Sequence, residues 1–121
     1  MSVPIHNSDL IRGSIDMLIL NLLSEKDNYG YQIIKEMLVR SHHQFELKEP
    51  TLYSSLKRLE KQSLIISYWG EESQGGRRKY YRLTGDGEKR LSQSREEWVA
   101  ARDVIDLLIE KPRREGEAVY E

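Results

Sequence analysis

Residues 51–84 read TLYSSLKRLEKQSLIISYWGEESQGGRRKYYRLT, and the folding of this stretch decides how the rest is read. Its first part predicts a helix over about 50–62. Pro50 fits the first turn, where a missing N–H does no harm. Leu52, Leu56 and Leu59 form a narrow apolar stripe at helical spacing. Pro50, Tyr53, Ser54, Lys57 and Lys61 project from the opposite side, a face of hydroxyls, an aromatic ring and cations without an acid among them. Such a face suits hydrogen bonding to base edges and phosphates. Taken alone, it is also the pattern of an ordinary solvated face. Residues 64–69 and 79–83 are rich in strand formers, and Gly75-Gly76 between them marks a hairpin tip. Arg77, Arg78 and Lys79 open the second strand. Glycines let backbone approach a sugar-phosphate surface closely, and arginines reach phosphates or a minor groove. The rival use of a basic strand edge is to block edge-to-edge aggregation.

Upstream, residues 9–24 predict one helix capped by Ser8 or Asn7, with Leu10, Ile11, Ile15, Leu18 and Leu22 as its stripe. Met17, Ile19, Leu20 and Leu23 carry apolar surface most of the way round it. A second helix is expected over about 29–41, with Ile33, Ile34, Met37 and Leu38 inward, then a polar connection over 42–49 around Phe45. Three helices followed by a basic hairpin outline a winged helix-turn-helix, a mainly α fold with a small β-hairpin (α+β). Downstream, Thr84 caps a long helix over about 85–110, with Asp86 and Glu88 near its positive end and Gly85 and Gly87 softening its first turn. Leu91, Trp98 and Ile105 recur every seven residues, as do Ser94, Ala101 and Leu108, with Val104 and Leu107 broadening the seam. So small a domain has too little surface of its own to cover that helix, and a second copy of the chain is the economical partner. The expected organisation is therefore a DNA-binding unit over 1–84, a dimerisation helix over 85–110 with Leu91, Trp98, Ala101, Ile105 and Leu108 at the interface, and a charged tail over 111–121.

The whole chain has 121 residues, room for one compact domain, with 38% hydrophobic and 32% charged residues. Cysteine is absent, which excludes disulfides, thiolate zinc sites and cysteine nucleophiles. The net charge of −1 conceals a gradient: residues 1–56 carry −2, residues 57–82 carry +4 and residues 83–121 carry −3. A local positive field is what phosphate binding requires. No apolar run is long enough for a membrane span and no secretion signal opens the chain, so the expectation is a cytoplasmic protein without membrane contact. His42, His43 and Glu46 are the nearest approach to a metal site, but a polar loop explains them, and no metal or cofactor is expected. No nucleophile–base–orienter set or phosphate loop is present, so no catalytic residue is assigned. The remaining rival is a winged helix that binds protein rather than DNA.

With these residues in view, the chain resembles the PadR-type transcriptional regulators. TLYSSLKRLEKQSLI is similar to their reading-helix signature and GGRRKYYRLTGDG to their wing, while Asn28-Tyr29-Gly30-Tyr31 matches at the start of the second helix. The likeness runs from about residue 9 to 109. It implies a homodimeric repressor on a pseudo-palindromic double-stranded DNA operator. Tyr31, Thr51, Tyr53, Ser54 and Lys57 would then face DNA from the helix-turn-helix, and Gly75, Gly76, Arg77 and Arg78 from the wing. The family's usual proline after "TLY" is Ser54 here. More narrowly, the chain is similar to the short subfamily with a single C-terminal helix, which includes a multidrug-binding efflux repressor. That likeness implies an effector pocket in which Trp98 and its symmetry mate sandwich a small planar aromatic or cationic ligand. Leu10 and Met17 would line the pocket and Asp16 would supply negative charge. Arg102 and Asp103 stand where that relative carries acid then base.

Overall fold

The computed structural model describes residues 9–71 and 76–110. In chain order it contains α1 (Asp9–Arg12), α2 (Ile15–Glu25), β1 (Asn28–Tyr29), α3 (Gly30–Arg40), α4 (Glu49–Lys61), β2 (Ile65–Trp69), β3 (Lys79–Leu83) and α5 (Gly85–Ile109). The strands form one antiparallel sheet in the order β1-β3-β2. Ile65 pairs with Leu83, Ser67 with Tyr81 and Trp69 with Lys79.

The core follows the helical stripes. Leu52, Leu56 and Leu59 of α4 are essentially fully buried, each removal from water contributing about 1.5–3 kcal/mol. They meet Ile19, Leu20 and Leu23 of α2, Ile33 and Met37 of α3, and Ile65 and Tyr81 of the sheet in one cluster. Phe45 and Leu47, within the polar connection, are buried in the same cluster. Ile34 packs at its edge.

Three expectations need correction. The single helix expected over 9–24 is two pieces, broken at Gly13-Ser14, where the Ser14 N–H donates back to the Ile11 carbonyl at 2.7 Å. Glycine and serine are poor in helix interiors, and none of α1's four residues is buried, so no packing holds the first turns in line with α2. Leu10 consequently lies almost wholly exposed instead of joining the stripe. Secondly, Asn28 and Tyr29 pair with Tyr81 and Tyr80, giving the hairpin a third strand too short to show in sequence. Thirdly, Leu91 belongs to the core cluster and does not lie on an outward seam.

Leu91 is drawn inward because α5 is anchored tightly at its start. The Thr84 side chain accepts from the Gly87 N–H at 3.0 Å and donates to the Ser63 carbonyl at 2.8 Å. Gly87 is buried against the Leu64 backbone carbonyl, where a Cβ has no room. The glycine expected to soften the helix is what lets it dock. Beyond this first part, α5 runs out from the domain with every residue from Arg95 to Ile109 exposed. Among the described residues, no helix is long and apolar enough to cross a membrane.

Candidate nucleic-acid interface

Burying Leu52, Leu56 and Leu59 forces the other side of α4 outward. Thr51, Tyr53, Ser54, Lys57 and Lys61 are all exposed. Tyr53 is held at its tip: the hydroxyl end of its ring lies against Gly30, the first residue of α3, at a spot where any Cβ would collide with it. The two helices of the helix-turn-helix therefore meet through a glycine and an aromatic. Tyr31, one residue further along α3, is 69% exposed beside this junction.

The wing presents Arg77, Arg78 and Lys79, all exposed, and the strand register divides them. Side chains alternate across a strand. Ile65, Ser67 and Trp69 of β2 share a face with Lys79, Tyr81 and Leu83 of β3, the face turned to α4; Ser67 confirms it by donating to Glu60 of α4 at 2.6 Å. Lys79 lies on this side, its ammonium 5.8 Å from the Tyr81 ring, and Arg77 sits 5.6 Å from the Trp69 ring. Arg78 belongs to the other face, 4.6 Å from Tyr29, whose ring meets Tyr80 edge-on, while Tyr80 stacks on Tyr68. Two arginines adjacent in sequence thus rest on different aromatic supports. Gly76 has φ +91°, the left-handed region that favours glycine. Gly75, named with it in the sequence reading, lies outside the described residues, as do Ser8 and Asn7 and the 111–121 tail.

Charges close to this surface are tied down. Asp27 accepts from Arg82 at 3.0 Å and from the Tyr68 hydroxyl. Burial pushes the Asp27 carboxyl up, but the hydrogen bonds from Arg82 and Tyr68 outweigh it and hold the group below its ordinary value. The same bond to Asp27 raises the Tyr68 phenol. Arg58 of α4 faces away from the reading side and holds Asp16 through two bonds of 2.7 and 3.0 Å.

That ion pair corrects one part of the pocket expectation. A groove of about 490 Å³ lies between α1, α2 and α5, lined by Leu10, Met17 and Trp98 together with Leu18, Asn21 and Arg95. Asp16 is not among its lining residues, because α2's turn directs its carboxylate to Arg58, forty-two residues away in sequence. The polar groups at the groove are instead Ser14, Asn21 and Arg95, the last donating to the Asn21 side chain. Arg102 lies outside the lining but stands 5.2 Å from the Trp98 ring and pairs with Asp103 at 3.2 Å. Along α5, Trp98, Ala101, Ile105 and Leu108 are exposed, whereas Leu91 is not. His42 and His43 lie exposed in the turn after α3, both at positive φ.

The sequence reading missed Trp69 and the tyrosines that carry Arg78. Strand parity was the available signal, since Trp69 and Lys79 fall on one face once the hairpin register is known.

Three packed helices, a reading helix with an open polar face and a basic hairpin beside it define a winged helix-turn-helix DNA-binding protein. The family model described as the transcriptional regulator PadR-like family matches residues 19–93, and the chain belongs to that family of DNA-binding transcription regulators. A Lysinibacillus sphaericus protein is 48% identical over 103 residues, covering 85% of this chain and 94% of its own length. The transcriptional regulator YqjI of Escherichia coli is 32% identical over 85 residues, 70% of this chain but 39% of that longer protein. Among solved structures, a transcriptional regulator from Clostridium thermocellum superposes with a TM-score of 0.79 at 46% identity, covering 85% of this chain and all of its own. A PadR family transcription regulator from Clostridium difficile gives 0.70, also at 46% identity, over 80% and 99% of the two chains.

Proposed function

We propose that the chain works in the cytoplasm as a homodimeric repressor on a pseudo-palindromic operator, regulatory rather than catalytic, and that a small planar aromatic or cationic ligand releases it. The observation that carries this reading is the uncovered apolar strip of α5. Trp98, Val104, Ile105, Leu107 and Leu108 are between 46% and 77% exposed, on a helix whose start is firmly built into the core. So continuous an apolar surface calls for a partner, and a two-fold pairing of α5 helices supplies one while presenting two reading helices. Successive major grooves on one side of a duplex are about 34–36 Å apart, so the pairing of the α5 helices sets whether both can engage. Trp98 belongs both to this strip and to the lining of the groove between α1, α2 and α5. A ligand there weakens DNA binding only by preferring the spacing that does not fit the duplex.

The test is binding to the DNA upstream of the protein's own gene across a salt series. The expected result is a steep fall of affinity with salt, because phosphate contacts release counterions. Arg77→Ala with Arg78→Ala flattens that slope by about two and weakens binding to all sequences alike. A double variant that binds as the parent does at matched salt removes the wing from the reading.

A further inference from the structure

Trp69 ends β2 on the face turned to α4, and more than half of its surface, 57%, is open to solvent. It is not a loose tip residue. Its backbone pairs with Lys79, and the next residue, Gly70, donates to the Arg78 carbonyl at 2.8 Å. Gly70 itself is pressed on the Tyr80 ring, where a Cβ would collide, so the strand end is fixed from both sides. Arg77 lies over the indole at 5.6 Å, and Lys79 stands beside it on the same face. An indole carrying a guanidinium is apolar and flat below and cationic above, which matches the boundary between deoxyribose and phosphate along a minor groove. Among the described residues no other role takes up this ring: Trp69 is outside the core cluster and does not line the groove at Trp98.

We propose that Trp69 is a DNA-contacting residue of the wing, laying its indole against the sugar edge of the minor groove beside Arg77. The assignment rests on the DNA-binding reading and adds to it an aromatic contact that charge counting does not reveal. Its energetic signature differs from that of its cationic neighbours, since an apolar contact with sugars releases no counterions.

The experiment uses the full chain labelled with 5-fluorotryptophan, which carries two indoles, Trp69 and Trp98. The Trp69→Phe variant identifies the Trp69 fluorine resonance by its loss. A mixed-sequence 24-base-pair duplex is added at low salt, with binding followed separately by anisotropy of a dye on the DNA. The Trp69 resonance is expected to shift and broaden as the duplex binds. Trp69→Ala is expected to weaken binding by about tenfold, the scale of one aromatic contact, with the salt slope unchanged. Arg77→Ala instead lowers the slope by about one. A Trp69 resonance that stays in place while anisotropy reports binding overturns the contact and leaves the regulator reading intact. A Trp69→Ala slope reduced like that of Arg77→Ala also overturns it, because the ring would then act only by holding the guanidinium. Absence of any duplex binding by the parent chain at low salt overturns the contact and the DNA reading together.

Discussion

Leu91 and Trp98 stand one heptad apart on the same helix, yet Leu91 is 4% exposed and Trp98 46%. The first half of α5 is a piece of the domain core, locked by Thr84, Gly87 and Leu91. The second half, Trp98 to Ile109, carries nearly all of the helix's apolar residues, and every one of them is exposed. One helix therefore does two jobs, and its heptad pattern is blind to where one gives way to the other. The core is self-sufficient, while the distal strip depends on what the chain meets.

The contrast is sharpest under paired substitution. Leu56→Ala, in the fully buried stripe, is expected to lower unfolding free energy by about 2–5 kcal/mol in urea titrations. Ile105→Glu, on the strip, is expected to leave the far-ultraviolet spectrum of the folded domain intact and to lower self-association in sedimentation experiments. If Ile105→Glu unfolded the chain as Leu56→Ala does, the division of α5 would be wrong.

A smaller effect tests the sheet side of the core. Asp27 has its carboxyl depressed in the folded state, so its contribution is complete above the ordinary carboxylate range. It is lost as pH falls through that range toward the depressed value. Asp27→Asn is expected to cost about 1 kcal/mol near neutral pH and to flatten the acid limb of the stability profile. An acid limb as steep as the parent's would assign acid sensitivity elsewhere.

The smallest effect is a gain. Ser63 turns α4 into β2 at φ +61°, with the Leu64 N–H returning to the Leu59 carbonyl at 3.0 Å. Glycine is at home in that left-handed cap, and Ser63→Gly is expected to raise the thermal midpoint, by about 0.5 kcal/mol in stability.

Much of the candidate interface's architecture was legible in the sequence. The outward face of α4 followed from burying Leu52, Leu56 and Leu59, and the wing from two strand-forming runs around Gly75-Gly76. The pairing of Asp16 with Arg58 was not legible, because an ion pair between residues so far apart in sequence leaves no local mark. Nor was the separation of Arg77 from Arg78, which required the register of β2 on β3. The groove was anticipated in Leu10, Met17 and Trp98, but its polar lining was not, since Asn21 and Arg95 come from different helices.

By itself the sequence determined the main helices, the hairpin, the inward stripes of α3 and α4 and the placement of positive charge, because helical and strand periodicity, capping and turn chemistry act within a few residues. Tertiary structure alone decided where α5 leaves the core, which carboxylate meets which guanidinium, and which aromatic ring lies under which arginine. Those outcomes depend on contacts between distant segments, and only the packed chain brings the partners together.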